Sequence, residues 1–258
     1  MGPVLHVRAF EDNYIWLIRG KSPNRVAIVD PGDEVPVIAA LAREDLAPVA
    51  ILCTHHHWDH TGGIADLCRR WQMPVYGPAA ENIPTVTHRV REGDELELPE
   101  LGLALTVIEV PGHTRGHIAY YGQGMLFCGD TLFSAGCGRL FEGTAAQMHD
   151  SLGKLAALPP ETRVYCAHEY TLANLRFALT VEPENKDIQS HYREVQRLRA
   201  QDAPTLPSTI GLEHRINPFL RLDQEVVRQA ANRQAGKALE SGTDVFAAIR
   251  RWKDHYRG

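Results

Sequence analysis

The most informative stretch of the sequence is Thr54-His55-His56-His57-Trp58-Asp59-His60, which follows the apolar run from Pro48 to Cys53. Four histidines and an aspartate within seven residues offer the nitrogen and oxygen ligands that zinc, iron and manganese bind. Side chains two apart on an extended chain point the same way, so His55 and His57 can hold one ion. The aspartate and the last histidine lie beyond the turn and can reach a second ion. The alternative interpretation is a solvated His-rich loop that binds metal weakly.

Three further ligand candidates each follow an apolar run within three residues. They are His113, Asp130 and His168. Open α/β sheets gather their chemistry beyond the ends of the strands, so four such ends that converge would build one site. Seven ligands are too many for one tetrahedral ion. They suit two ions that share one carboxylate, because the two oxygens of an aspartate can bind separate metals.

The bulk properties are those of a soluble globular protein. The 258 residues are 44% hydrophobic and 23% charged, with a net charge of −5 and five cysteines. The negative charge argues against nucleic acid or an anionic membrane as a partner. The odd number of cysteines, without a Cys-x-x-Cys pair, indicates reduced thiols. With no signal peptide or spanning segment apparent, we expect a cytoplasmic protein, and nothing in the sequence demands a partner chain.

The organisation of the chain changes after Tyr170. Before it, short apolar runs alternate with turns and helical patterns, which is typical of an α/β fold. Strands are predicted at 5–10, 14–18, 25–30, 49–53, 103–110, 117–122, 125–128 and 163–166, and helices at 35–43, 64–71 and 145–158. Beyond Tyr170, helical spacing predominates at 172–180, 185–201, 224–236 and 243–255, with a proline-rich loop at 203–207.

The motifs together resemble the dinuclear branch of the metallo-β-lactamase superfamily and, within it, the glyoxalase II (hydroxyacylglutathione hydrolase) family. The resemblance covers essentially the whole chain. It is carried by His55-x-His57-x-Asp59-His60, Gly112-His113-Thr114-x-Gly116-His117, Gly129-Asp130-Thr131, Ala167-His168-Glu169, the runs at 137–144 and 165–171, and Asn217-Pro218-Phe219-Leu220.

The resemblance implies an αββα sandwich at 1–172, which would be the catalytic domain, and a small α-helical substrate-binding domain at 173–258. It also implies two divalent metal ions, with zinc favoured and iron or manganese as alternatives. The first ion would be held by His55, His57 and His113, the second by Asp59, His60 and His168, and Asp130 would bind both.

The implied reaction is hydrolysis of S-(2-hydroxyacyl)glutathione, typically S-D-lactoylglutathione, to glutathione and D-lactate in the second step of methylglyoxal detoxification. Because the sequence has no Gly-x-Ser-x-Gly elbow, we expect a hydroxide bridging the two ions to attack the thioester carbonyl. Asp59 and Asp130 form the predicted catalytic pair, with Asp59 as a ligand rather than a free base.

The substrate residues also come from the resemblance. They are Arg139, Phe141, Tyr170, Arg250 and Lys253. Phe141 stands where the family often has tyrosine, so one hydrogen bond to glutathione is in doubt. Arg250 and Lys253 share a helix face and correspond to the pair that holds the glutathione carboxylates. Without the resemblance they would be interpreted as a solvated helix face.

Several neighbouring residues have two interpretations. His56 should point away from the ions, and His117 should hydrogen-bond near the site or pack at a strand start. Asp30 either orients a ligand histidine or forms a simple turn. Small buried core residues are favoured over metal ligands for three cysteines, Cys53, Cys128 and Cys166.

Three rival functions remain at this point. A persulfide dioxygenase of the same fold would use one iron held by His55, His113 and Asp130. Lactonases and β-lactamases share the hydrolytic machinery but need no basic pair in a glutathione pocket. In a binding or structural module, the metals would only brace the fold, although structural zinc sites are closed and commonly use sulfur.

Overall fold

The computed structural model describes residues 4–257. These residues form two compact units, the first from 4–109 and 114–129 and the second from 110–113 and 130–257. The predicted domain boundary between residues 172 and 173 stays a prediction. Within residues 4–257, no helix combines the length and the apolar character needed to cross a membrane.

A six-stranded mixed sheet begins the first unit. Its strands lie in chain order. The first three strands pair antiparallel with one another, and the third strand also begins a parallel run that continues to the sixth. The elements are β1 (Val4–Ala9), β2 (Asn13–Arg19), β3 (Arg25–Val29), α1 (Glu34–Arg43), β4 (Ala47–Leu52), α2 (Trp58–Thr61), α3 (Ile64–Arg70), β5 (Val75–Pro78) and β6 (His88–Val90).

The helices α1 and α3 cover one face of this sheet with apolar side chains. Val37, Leu41 and Leu67 pack in one core cluster with Ile28 and Ile51 from the parallel strands. Each such side chain contributes about 1.5–3 kcal/mol when fully buried. The core therefore fixes β4, and the carboxyl end of β4 presents the histidine-rich stretch.

A four-stranded antiparallel meander completes the first unit. It consists of β7 (Glu95–Leu98), β8 (Leu103–Glu109), β9 (Ile118–Gly122) and β10 (Met125–Gly129). The two residues between β9 and β10, Gln123 and Gly124, both have positive φ, as a type I′ hairpin turn requires. Hydrogen bonds join the start of β9 to the end of β4, with the Ile118 amide 3.0 Å from the Thr54 carbonyl oxygen.

The second unit is mainly helical. Its elements are β11 (Leu132–Phe133), β12 (Gly136–Cys137), α4 (Ala145–Ala156), β13 (Arg163–Cys166), α5 (Thr171–Val181), α6 (Lys186–Ala200), β14 (Ser208–Thr209), α7 (Ile210–Ile216), α8 (Glu225–Ala235) and α9 (Gly242–His255). Capping boxes start α4 at Thr144 and α9 at Ser241, which satisfies amides that the first turn leaves without a helical partner.

Every strand and helix predicted from the sequence is present, with ends within two residues of the prediction. The loop at 203–207 is also confirmed. The sequence missed only short elements, α2, β5, β6, β7, β11, β12, β14 and α7, none of which exceeds seven residues. Such segments are too short to show a period, and tertiary pairing determines them.

Candidate metal centre

The histidine-rich stretch gathers four of the predicted ligands in the first unit. His55 and His60 are fully buried, while His57 and Asp59 are half-buried. The ring centroid of His55 lies 4.7 Å from that of His57 and 4.1 Å from that of His60. The turn into α2 brings the ring of His60 beside that of His55.

Asp30 orients His55 through Thr54. The Thr54 hydroxyl donates to Asp30 Oδ2 at 2.7 Å, and the Thr54 amide donates to Oδ1 at 2.7 Å. Since the hydroxyl proton is directed at Asp30, the Thr54 oxygen is placed to accept from His55 Nδ1, 3.1 Å away. A proton on Nδ1 leaves Nε2 of His55 as the metal-binding atom. Of the two interpretations of Asp30, the structure favours the orienting one.

The same carboxylate also lies beside His60. Asp30 Oδ2 lies 3.1 Å from Nδ1 of His60, and Nε2 of that ring lies 3.3 Å from Asp59 Oδ2. Asn13, at the start of β2, donates from Nδ2 to the same Asp59 oxygen at 3.0 Å. The sequence analysis missed Asn13. Its only signal is a polar residue at the head of a buried strand, and its partner lies 46 residues away.

The second unit holds the other three predicted ligands, and Asp130 stands between two histidines. Its Oδ2 lies 3.4 Å from His113 Nε2, and its Oδ1 lies 3.3 Å from His168 Nε2. The Nδ1 atom of His113 is 2.9 Å from the carbonyl oxygen of Arg139, so its proton belongs on Nδ1 and Nε2 is available. Each Asp130 oxygen therefore faces a different histidine, which is the arrangement that a bridging carboxylate needs.

These separations fit metal ligands. Two ligand atoms bound to one tetrahedral ion at ~2.0–2.1 Å lie about 3.3–3.4 Å apart, and the three histidine–aspartate pairs above have 3.3–3.4 Å. Within residues 4–257, the side chains that fall into groups able to hold an ion are the seven predicted ligands and no others. The donors, imidazole nitrogen and carboxylate oxygen, suit zinc, iron and manganese alike.

The neighbouring residues take the positions that their favoured interpretations require. His56 turns to Glu81, with Nδ1 3.0 Å from Oε2, and His117 is buried against the His55 ring at 4.5 Å. Cys53, Cys128 and Cys166 are buried. Burial raises the pKa of the Cys53 thiol well above its usual range, which disfavours the thiolate that a metal ligand would need.

Two of the predicted substrate residues contact predicted ligand histidines. The exposed ring of Phe141 meets the His113 ring edge-on with centroids 5.2 Å apart. The Tyr170 ring stacks on the His168 ring, with the centroids 4.8 Å apart and an angle of 3° between the ring planes. Phe141 is 62% exposed and Tyr170 is 36% exposed, so both present aromatic surface beside a predicted ligand.

Two of the three predicted basic residues, Arg250 and Arg139, lie at Asp254. Arg250 is only 4% exposed and donates to the carbonyl oxygen of Cys137 at 2.8 Å and to Asp254 Oδ1 at 3.0 Å. The Arg139 guanidinium lies 3.9 Å from the same oxygen. Lys253 lies one residue before Asp254, and burial, followed by the charge of Arg250, lowers its pKa to about 8. A solvated helix face is therefore wrong for Arg250, and its contact with substrate stays a prediction.

The comparisons with known proteins agree with this geometry. Residues 9–168 match the model of the metallo-beta-lactamase superfamily, and residues 169–256 match that of the hydroxyacylglutathione hydrolase C-terminus. These matches confirm the predicted fold of a metallo-β-lactamase domain followed by a helical C-terminal domain. Among solved structures, ETHE1 from Myxococcus xanthus superposes with a TM-score of 0.68 at 25% identity, covering 96% of this chain and 90% of that one. TTHA1623 in a di-iron-bound form gives a TM-score of 0.59 at 27% identity, covering 83% and 98%.

The similarity to curated proteins is much higher. Hydroxyacylglutathione hydrolase of Nitrosomonas europaea is 54% identical over 99% of this chain and 97% of its own length. The protein of the same name from Aeromonas hydrophila is 54% identical over 98% and 99%. With full-length identity of this level and both family models matched, the chain belongs to the hydroxyacylglutathione hydrolase family of the metallo-β-lactamase superfamily.

Proposed function

We propose that this protein hydrolyses S-(2-hydroxyacyl)glutathione, typically S-D-lactoylglutathione, to glutathione and D-lactate, the second step of methylglyoxal detoxification. The observation that carries the proposal is 54% identity over nearly the whole chain to proteins named hydroxyacylglutathione hydrolase. The thioester hydrolase activity follows from that family.

The proposal includes two divalent metal ions, with zinc first and iron or manganese as alternatives. His55, His57, His113 and Asp130 would hold one ion, and Asp59, His60, His168 and Asp130 the other. When bound, such a pair lowers the pKa of water toward ~7 and polarises the carbonyl under attack. Support comes from the histidine–aspartate separations of 3.3–3.4 Å within each unit.

The protein's own contribution is to hold these ligands in one protonation state and orientation. Asp30 and Thr54 keep the His55 proton on Nδ1, and the Arg139 carbonyl oxygen does the same for His113. Asn13 engages Asp59, which supports a ligand role for this carboxylate rather than a free general base. Asp59 and Asp130 remain the proposed catalytic carboxylates. A thiolate is a good leaving group and needs little help from a protein acid.

Substrate capture is assigned to Arg139, Phe141, Tyr170, Arg250 and Lys253. Glutathione carries two carboxylates, and a chain of net charge −5 must hold them with local cations. Phe141 and Tyr170 offer aromatic surface beside ligand histidines. Phe141 has no hydroxyl, so it contributes packing without a hydrogen bond.

The remaining parts of the proposal concern the whole protein. The catalytic domain is taken as 1–172 and the helical substrate-binding domain as 173–258. We propose a cytoplasmic monomer that binds neither nucleic acid nor membrane.

A mononuclear iron persulfide dioxygenase is the weaker alternative. It would use His55, His113 and Asp130 and would leave Asp59, His60 and His168 without a function. The match of residues 169–256 to the C-terminal model of hydroxyacylglutathione hydrolases also favours the hydrolase.

The test is an assay of the purified protein, with its metals counted, on three substrates in parallel. With S-D-lactoylglutathione we expect release of one thiol and one D-lactate per thioester consumed. We expect no comparable hydrolysis of a lactone and no oxygen uptake with glutathione persulfide. Oxygen uptake with one iron per chain, together with no thioester hydrolysis, would establish the dioxygenase instead.

A further inference from the structure

Glu81 is a buried carboxylate that the reaction described above does not use. It lies between β5 and β6 and is 7% exposed. Its Oε2 atom lies 3.0 Å from His56 Nδ1. Its Oε1 atom accepts from the Thr114 hydroxyl and from the Gly116 amide, the latter at 3.2 Å. One carboxylate therefore joins two segments of the first unit that are more than fifty residues apart in the chain.

These two segments are the ones that flank predicted ligands. His56 lies between His55 and His57, and Thr114 directly follows His113. A side chain that holds His56 and Thr114 in place therefore restrains the backbone that carries the three proposed ligands His55, His57 and His113. All three of these histidines are assigned to the same ion.

The surroundings show that the position of Glu81 is itself fixed. The Arg89 guanidinium donates to the Glu81 carbonyl oxygen at 3.0 Å and to that of Ala79 at 3.3 Å. A Cβ on Gly116 would lie 2.5 Å from Glu81 Cγ, so glycine at this position is what allows the amide to reach the carboxylate. Buried carboxylates are stable only when hydrogen bonds satisfy them, and each Glu81 oxygen has at least one partner.

We propose that Glu81 is a positioning residue for the first metal. It acts through His56 and Thr114, and it sets the orientation of the ligands beside them. Groups that hydrogen-bond a ligand directly typically change metal affinity by 10–100-fold when they are lost. Glu81 contacts the residues beside the ligands, so we expect an effect near the lower end of that range. The inference rests on the metal part of the proposed function.

The test measures metal binding and ligand geometry directly. The wild-type apoprotein, Glu81→Ala and Glu81→Gln are titrated with Co²⁺ against a chromophoric chelator, and their ligand-field spectra are recorded. We expect Glu81→Ala to bind one of the two ions about 10-fold more weakly, with a changed spectrum and little effect on the other ion. Glu81→Gln should lie closer to wild type, since its amide oxygen can still accept from Thr114 and Gly116.

Glu182→Ala is the matched control. Glu182 is likewise buried, at 2% exposed, and it pairs with Arg221 at 2.8 and 2.9 Å in the helical part of the second unit. Its loss should lower the thermal unfolding midpoint and leave both Co²⁺ affinities and the spectrum unchanged. This control separates a general loss of stability from a specific effect on the ligands.

Cobalt affinities and spectra that match wild type in Glu81→Ala would overturn the inference. Where Glu81→Ala does not fold, Thr114→Val decides the question, because it removes the hydroxyl that donates to Glu81. Thr114→Val is expected to weaken binding of the same ion as Glu81→Ala, and wild-type affinity for both ions in Thr114→Val would overturn the inference equally. A wild-type protein that binds fewer than two ions would instead contradict the proposed function, so the two failures are distinguishable.

Discussion

Lys253 gives the sharpest prediction at the scale of single residues, because its pKa is lowered to about 8 by burial and by the charge of Arg250. The ammonium is charged below this pH and neutral above it. If Lys253 holds a glutathione carboxylate, kcat/KM for S-D-lactoylglutathione should fall as the pH rises through about 8. Rates corrected for spontaneous hydrolysis between pH 6.5 and 9.5 measure this.

Lys253→Arg is the matched variant, because a guanidinium keeps its charge over this whole range. The decline near pH 8 should disappear or move upward in this variant, while the metal content stays the same. Identical pH profiles for the two proteins would show that Lys253 does not bind the anionic substrate.

The proposed ligand residues leave local signals in the sequence, and most of their partners do not. The spacing within 55–60 and the strand ends before residues 113, 130 and 168 are local signals. Asn13 and Glu81 leave no local signal, since they meet Asp59 and Thr114 across 46 and 33 residues. Asp254 does leave a local signal, because an acidic residue four positions after Arg250 on a helix forms a recognisable pair with it.

At the scale of secondary-structure elements, Glu213 connects α7 to the hairpin β11–β12. The carboxylate is fully buried and accepts from the Ser134 hydroxyl, the Ala135 amide, the Ser208 hydroxyl and Asn217 Nδ2. Burial raises its pKa above the usual value, against these hydrogen bonds. The hairpin begins two residues after Asp130, so the network holds the segment that follows this ligand.

Glu213→Ala should therefore be strongly destabilising. It would leave several buried donors without an acceptor, at about 1–3 kcal/mol each, and we expect a loss of about 3–5 kcal/mol in the free energy of unfolding. Urea denaturation measures it, with Glu161→Ala at an exposed turn as the control. A loss below about 1 kcal/mol, the size of one ordinary hydrogen bond, would show that the network contributes little.

The long elements were predictable because burial leaves a pattern in their sequence. That pattern is a nearly continuous apolar run in the buried strands β2 and β4 and a helical period in α4 and α6. Each of these elements lies within two residues of its predicted bounds. The segments β6 and β11 have three and two residues, and only pairing with a neighbouring strand defines them. The fold class was thus accessible from sequence, while the strand register was not.

At the scale of the whole molecule, the seven proposed ligands are divided between the two units, four in the first and three in the second. The net charge of −5 favours cation uptake and disfavours an anionic substrate unless local cations capture it. The family relation carries the assignment of the reaction. The claim that each chain binds two metal ions connects the proposed reaction with the arrangement of the seven proposed ligands.

That claim is tested most directly by titrating the metal-free protein with Zn²⁺ and measuring S-D-lactoylglutathione hydrolysis at each step. Activity should be absent in the chelated protein and should rise to a plateau at two ions per chain. Full activity at one ion per chain, or activity that survives complete removal of metal, would contradict the account.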